Sequence, residues 1–135
     1  MDSEKKKMLS AFASKAAQRL EDKKITKYAT LYVPSLDENI KIRSLTRKEI
    51  IECMNTEDTE DNPDRSDNYS IYLAVVEPNL HDVAKELKEQ GKIVEYTDVC
   101  NIFDMYERVS IAQEIMKLSG AIGTKKVTLV NELKN

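Results

Sequence analysis

The sequence is short of the residues that most chemistry and most turn-rich folds require. Its 135 residues contain three glycines, three prolines, two cysteines, one histidine and no tryptophan. So few glycines and prolines do not supply a β-sandwich with its many tight turns. They also leave no Gly-x-Gly-x-x-Gly or Walker loop to cradle a phosphate. A single histidine, His81, excludes a two-histidine metal site. Cys53 and Cys100 lie far apart and form no Cys-x-x-Cys pair. They read as two reduced thiols packing as small hydrophobes, although sequence leaves one disulfide between them open. No apolar run approaches the roughly 20 residues of a membrane-spanning helix. Met1–Lys7 is charged and Met8–Leu20 is amphipathic, so neither makes a signal peptide. An intracellular, cytoplasmic protein is expected.

What is present is charge and enough apolar residues for one modest core. Charged residues make up 33% of the chain and hydrophobic ones 41%, yet the net charge is only -3. That balance argues against a disordered chain and for a small, helix-rich single domain. The charge is unevenly placed. Residues 1–27 carry eight basic and four acidic side chains, whereas Glu57–Asp67 carries six acidic residues and one arginine. The blander reading of both is solvated surface. The sharper one is attraction between the basic arm of one copy and the acidic loop of another.

Periodicity organises the rest. Leu9, Phe12, Ala13, Ala16, Ala17 and Leu20 recur as the stripe of an amphipathic helix, with Ser3 as its expected cap. The stripe is alanine-rich and shallow, so the helix is expected to be an arm, flexible or protruding, outside the core. Tyr28–Val33 and Ile40–Leu45 read as a β-hairpin across a Pro34–Asn39 turn. An isolated hairpin is marginal in water, so it must lie on a helix or pair with another chain. Thr46-Arg-Lys-Glu49 is a capping box, flanked by Leu45 and Ile50 as a hydrophobic staple, and starts a helix ending near Asn55. Residues 55–66 form an acidic loop. Asp58, Glu60 and Asn62 alternate as in a calcium loop, but Pro63 and Tyr69 stand where glycine and glutamate are needed. Asp67 is the expected cap of a helix through Val76 that Pro78 ends. A short helix follows from about His81 to Gln90, closed by Gly91. One long helix is expected from Thr97 or Asp98 to Ser119, closed by Gly120, with Val99, Ile102, Phe103, Tyr106, Val109, Ala112, Ile115 and Met116 on its apolar face. The expected class is therefore α+β, mostly α. It comprises an arm over 1–27, a hairpin-plus-helices domain over 28–123 and a frayed tail over 124–135.

Candidate catalytic groups are scarce. His81 beside a cysteine makes a conceivable nucleophilic pair, but no orienting third group is identifiable. Carboxylate pairs carry little information in a chain with 24 acidic residues. The expectation is a protein that is not an enzyme and needs no cofactor and no metal.

Three stretches carry a resemblance. They are Ile42-Arg-Ser-Leu-Thr-Arg-Lys-Glu49; Asp67, Tyr72 and the run into Pro78-Asn79-Leu80; and Met105-Tyr-Glu107 with Glu114-Ile-Met-Lys-Leu-Ser-Gly120. Over residues 28–123 the chain resembles the phage tail assembly chaperones of the XkdN-like family, found in contractile-tailed phages and prophages of Gram-positive bacteria. The resemblance implies a non-enzymatic assembly factor. Such proteins coat the apolar, helical tape-measure protein before the tail tube forms around it, tend to oligomerise, and are absent from the finished virion. It implies the tape-measure protein as partner, the tail tube protein as a further one, and the bacterial host's cytoplasm as the compartment. Many members also have a frameshift-extended form, for which Lys125-Lys126 is a weak pointer. The residues assigned to partner contact are Leu9, Phe12, Ala16 and Leu20 on the arm and Tyr28 and Tyr32 on the first strand. The apolar face of the 97–119 helix is a second candidate surface. The alternative reading is a small phage regulatory protein that contacts nucleic acid through its basic N-terminal helix. The leading reading takes neither nucleic acid nor membrane as a partner.

Overall fold

A computed structural model describes residues 2–130, and the last five residues of the expected tail lie outside the described residues. The fold is mostly helical with a small antiparallel sheet. In chain order the elements are α1 (Ser3–Lys23), β1 (Tyr28–Val33), β2 (Glu38–Arg43), α2 (Arg47–Asn55), α3 (Arg65–Ala74), β3 (Val75–Glu77), α4 (Leu80–Glu89), a 3₁₀ turn (Tyr96–Ile102) and α5 (Met105–Leu118).

The hairpin forms with β1 at its expected bounds, but β2 starts and ends two residues earlier than the expected Ile40–Leu45, which shortens the turn to residues 34–37. Tyr28 stands opposite Arg43 and Val33 opposite Glu38. Ala29, Leu31 and Val33 face inward along β1, and Tyr28, Thr30 and Tyr32 face outward. The hairpin is stabilised in two ways. Helix α5 lies against β1 and β2, and β3 adds a third strand with order β1-β2-β3. Strand β3 corrects the expectation of a helix through Val76. The helix stops at Ala74, and Val75 pairs with Ile42 and Glu77 with Lys41. Two consecutive β-branched residues before Pro78 favour the extended backbone that the sheet edge can pair.

The capping box forms as the sequence indicates. The Glu49 amide donates to the Thr46 hydroxyl at 3.2 Å, and the Thr46 amide donates to the Glu49 carboxylate at 3.0 Å. Glu49 has a second task. Both its oxygens accept from the Arg43 guanidinium, at 2.9 and 2.7 Å, tying the end of β2 to the first turn of α2. These hydrogen bonds hold the Glu49 carboxyl well below its ordinary range, at about 2.

Other boundaries move. Asp2, not Ser3, caps α1, accepting from the Lys5 amide at 2.9 Å. Helix α3 starts two residues before Asp67, with Asp64 at the cap position, so Asp67 lies within its first turn. The expected long helix over 97–119 is two elements. The chain runs as a 3₁₀ turn to Ile102, becomes extended through Phe103 and Asp104, and starts α5 at Met105. The break is fixed at Asp104, whose amide donates to the Glu107 carboxylate at 2.9 Å. The same buried carboxylate accepts from the Ser35 amide at 3.0 Å and the Ser35 hydroxyl at 2.5 Å. Burial pushes Glu107 up, but the bonds from Ser35 and Asp104 outweigh it, so the carboxyl titrates below its usual value. Glu107 thereby clamps the hairpin turn to the start of α5. Gly91 and Gly120 close α4 and α5 in the left-handed region, at φ 71° and 77°.

The core gathers Val33, Ile40 and Ile42 from the sheet, Ile71 and Ala74 from α3, and Leu80 and Ala84 from α4. Val99 and Phe103 with Ile111 and Ile115 of α5 complete it. Arg108 of α5 braces the far side, pairing with Asp64 at 3.0 Å and donating to Asn101 at 3.1 Å.

Two stability measurements check the joint at α2. Thr46→Ala is expected to cost about 1 kcal/mol in chemical denaturation. Glu49 has a folded-state pKa below its unfolded value, so its contribution is fully present above about pH 4.5 and is lost as pH falls towards 2. The acid-unfolding profile of Glu49→Gln should accordingly be flatter than that of the wild type across this window.

Candidate interaction surface

Helix α1 has 21 residues and none of them is buried. Its length exceeds the roughly 12–15 residues below which an isolated helix is marginal in water. Its alanine content, the Asp2 cap, Glu4 in the first turn and Lys23 in the last all favour the helix locally. Among the described residues, no surface of its own chain buries its stripe. Leu9 is 56% exposed, Phe12 73% and Leu20 63%, and Met8 widens the patch. Ala16 is half-buried. Four of the six residues assigned to partner contact thus share one stripe, on which Leu9, Phe12 and Leu20 face solvent.

The other two stand on β1. Tyr28 and Tyr32 flank Thr30 on the outward face and are both more than half exposed. The Lys41 ammonium sits 5.0 Å above the Tyr28 ring, and the Tyr32 hydroxyl donates to Asp37 at 2.7 Å. No side-chain hydrogen bond or ion pair among the described residues joins these tyrosines to α1. Helix α1 and β1 are not among the element pairs that pack together most closely, so the six residues are carried on two elements rather than on one.

The second candidate surface, the apolar face over 97–119, is corrected. Of that face, Val99, Phe103, Ala112 and Ile115 are buried in the core and Met116 is half-buried, whereas Ile102, Tyr106 and Val109 remain exposed.

A third apolar feature was not singled out from sequence. At the foot of α1 a groove of about 660 Å³ runs between the last turn of α1, the outer face of α2 and the end of α5. Its apolar wall includes Ile51 and Met54. The signal was available in the sequence. Ile50 and Ile51 are adjacent on a nine-residue helix, about 100° apart. Ile50 shares the inward face with Cys53, so Ile51 must share the outward face with Arg47 and Met54, at i-4 and i+3.

Residues considered for catalysis are placed otherwise. Cys53 and Cys100 are both free and buried. Burial, with Glu49 and Glu52 nearby, pushes the Cys53 thiol up to about 11. Burial pushes Cys100 up to about 12, and its thiol donates to the Asn68 carbonyl. Both remain protonated at neutral pH. His81 does not meet either of them. Its Nδ1 hydrogen-bonds the Tyr72 hydroxyl, and its ring lies 5.4 Å from that of Tyr96. Among the described residues, no three His, Cys, Asp or Glu side chains gather as a metal site, and no helix is long and apolar enough to cross a membrane.

No protein-family model, no curated protein and no solved structure matches this chain.

Two measurements check this placement. Leu9→Asp/Phe12→Asp is expected to leave domain stability within about 0.5 kcal/mol of wild type, because it alters only exposed positions. Both thiols should resist iodoacetamide in the native chain and react fully once it is unfolded.

Proposed function

We propose that this protein is a non-enzymatic phage tail assembly chaperone that binds a long helical partner, the tape-measure protein, during tail morphogenesis. The observation that carries the reading is α1: a well-capped 21-residue helix that exposes Met8, Leu9, Phe12 and Leu20 and has no fully buried residue. A stripe of this kind is the half of a helix–helix contact that a partner completes. Repeated weak contacts of this type along an extended apolar helix raise avidity without any single tight site. The resemblance of residues 28–123 to the XkdN-like family supports the same reading. It adds a role in the host cytoplasm, self-association, contact with the tail tube protein, and absence from the mature virion. The outward tyrosines of β1 offer a second patch for such contacts. No cofactor or metal enters the reading.

Co-expression with the long helical tail protein of the same phage or prophage tests it. The partner should become more soluble and co-purify with the wild-type chain, and should do neither with Leu9→Asp/Phe12→Asp. A partner that neither co-purifies with the wild type nor gains solubility would sink the reading. The basic residues of α1 also define the competing outcome. A salt-dependent shift of duplex DNA that requires residues 1–27 would assign the protein to nucleic-acid regulation instead.

A further inference from the structure

Beyond the exposed stripe of α1, the groove at its foot has a composition that selects its occupant. Ile51 and Met54 of α2 and Leu118 at the end of α5 contribute apolar surface. Met54 is 75% exposed, far more than a core methionine. The charged residues around them, among the described residues, are Arg19, Lys23, Lys27 and Arg47, opposed by Asp22. None of the four cations makes an ion pair among the described residues. The groove therefore joins an apolar floor to a rim of four cations and one anion.

We propose that this groove is a docking site for an amphipathic helix whose apolar face is flanked by acidic residues, supplied by another protein. The inference rests on the helix-binding reading above and gives the partner its chemistry. Arg47, Ile51 and Met54 form one row along α2, and the last turn of α1 stands beside it. Rows of this spacing are what a partner helix packs against. Charge decides which helix fits. A second copy of α1 has the apolar stripe but carries a net positive charge, so the cationic rim repels it. The acidic loop of a second copy has the right charge, but residues 57–64 (Glu-Asp-Thr-Glu-Asp-Asn-Pro-Asp) have no large apolar side chain except the Pro63 ring to fill the floor. A nucleic acid would satisfy the rim and leave Ile51, Met54 and Leu118 without a role. An acidic-flanked amphipathic helix satisfies both parts.

The test uses the full chain and two labelled synthetic peptides in fluorescence anisotropy. Both carry leucines at i, i+3, i+4 and i+7. One is flanked by glutamates and the other has lysines at the same places. The glutamate peptide is expected to bind and the lysine peptide to bind at least about tenfold more weakly, with the difference shrinking as salt is raised. Met54→Asp and Arg47→Glu should each weaken the glutamate peptide by about tenfold or more. Both positions are exposed. An acidic residue suits the helix dipole in the first turn of α2 and opposes it in the last, so Arg47→Glu should keep the wild-type melting temperature and Met54→Asp should lower it only slightly. Equal binding of the two peptides, or binding of neither by the wild type, overturns the groove assignment. So does glutamate-peptide binding that Leu9→Asp/Phe12→Asp abolishes and Met54→Asp leaves intact, a result that moves the contact to α1 and leaves the chaperone reading standing. Duplex DNA bound by the wild type and weakened by Arg47→Glu, with neither peptide bound, assigns the rim to nucleic acid and overturns the proposal. Peptide binding that behaves as expected, beside a tail protein that fails to co-purify, removes the chaperone reading and keeps the groove.

Discussion

Three isoleucines, Ile42 on β2, Ile71 on α3 and Ile115 on α5, are fully buried, and the other elements are arranged around the core they share. Burying one such side chain is worth about 1.5–3 kcal/mol, so a core of this size has little margin and must use every element that can reach it. The hairpin reaches it through Val33, Ile40 and Ile42, and α4 through Leu80 and Ala84. The Ser35–Glu107 and Arg43–Glu49 contacts then lock the hairpin's two ends onto α5 and α2. Every buried apolar side chain among the described residues lies between Val33 and Ile115. Helix α1 precedes that span, and its alanine-rich stripe offers the core too little area to draw it in.

The parts of the fold that were legible in the sequence are those set by local chemistry. Thr46 and Glu49 name a helix start by reciprocal hydrogen bonding, and the structure places both bonds. The alternation in β1 and β2, the stripe on α1, and the glycines after α4 and α5 are of the same kind. The parts that were not legible depend on partners distant in sequence. Strand β3 has three residues, too few to show a period of two, and the Leu73–Val76 run continues a helical pattern until the sheet edge claims Val75. The break before α5 was written in the sequence as Asp104-x-x-Glu107, a capping pair masked by the apolar residues that run through it. The cap position of α3 moved from Asp67 to Asp64, with which Arg108 of α5 pairs.

The candidate surface divides in the same way. Exposure of Leu9, Phe12 and Leu20 follows from a stripe too shallow to be core, which a single sequence can show. The outward face of Ile51 and Met54 follows from helical geometry once Ile50 is known to point inward. Its cationic rim does not, because Arg19, Lys23, Lys27 and Arg47 meet only when the end of α1 folds beside α2. On the proposed reading the small domain is a mount. Its buried thiols and its histidine, engaged with Tyr72 and Tyr96, serve packing, and its exposed apolar side chains are kept for a partner.

The central claim is that the apolar stripe of α1 has no surface among the described residues to rest on and is completed by a partner. Amide hydrogen exchange on the isolated chain, followed residue by residue at several protein concentrations, tests it most directly. The account predicts that α1 amides exchange through frequent local opening while those of α3 and α5 exchange only on global unfolding, and that the helical partner slows exchange in α1. Protection of α1 equal to that of α5 in the dilute, isolated chain would show that the helix already belongs to the core, and would contradict the account.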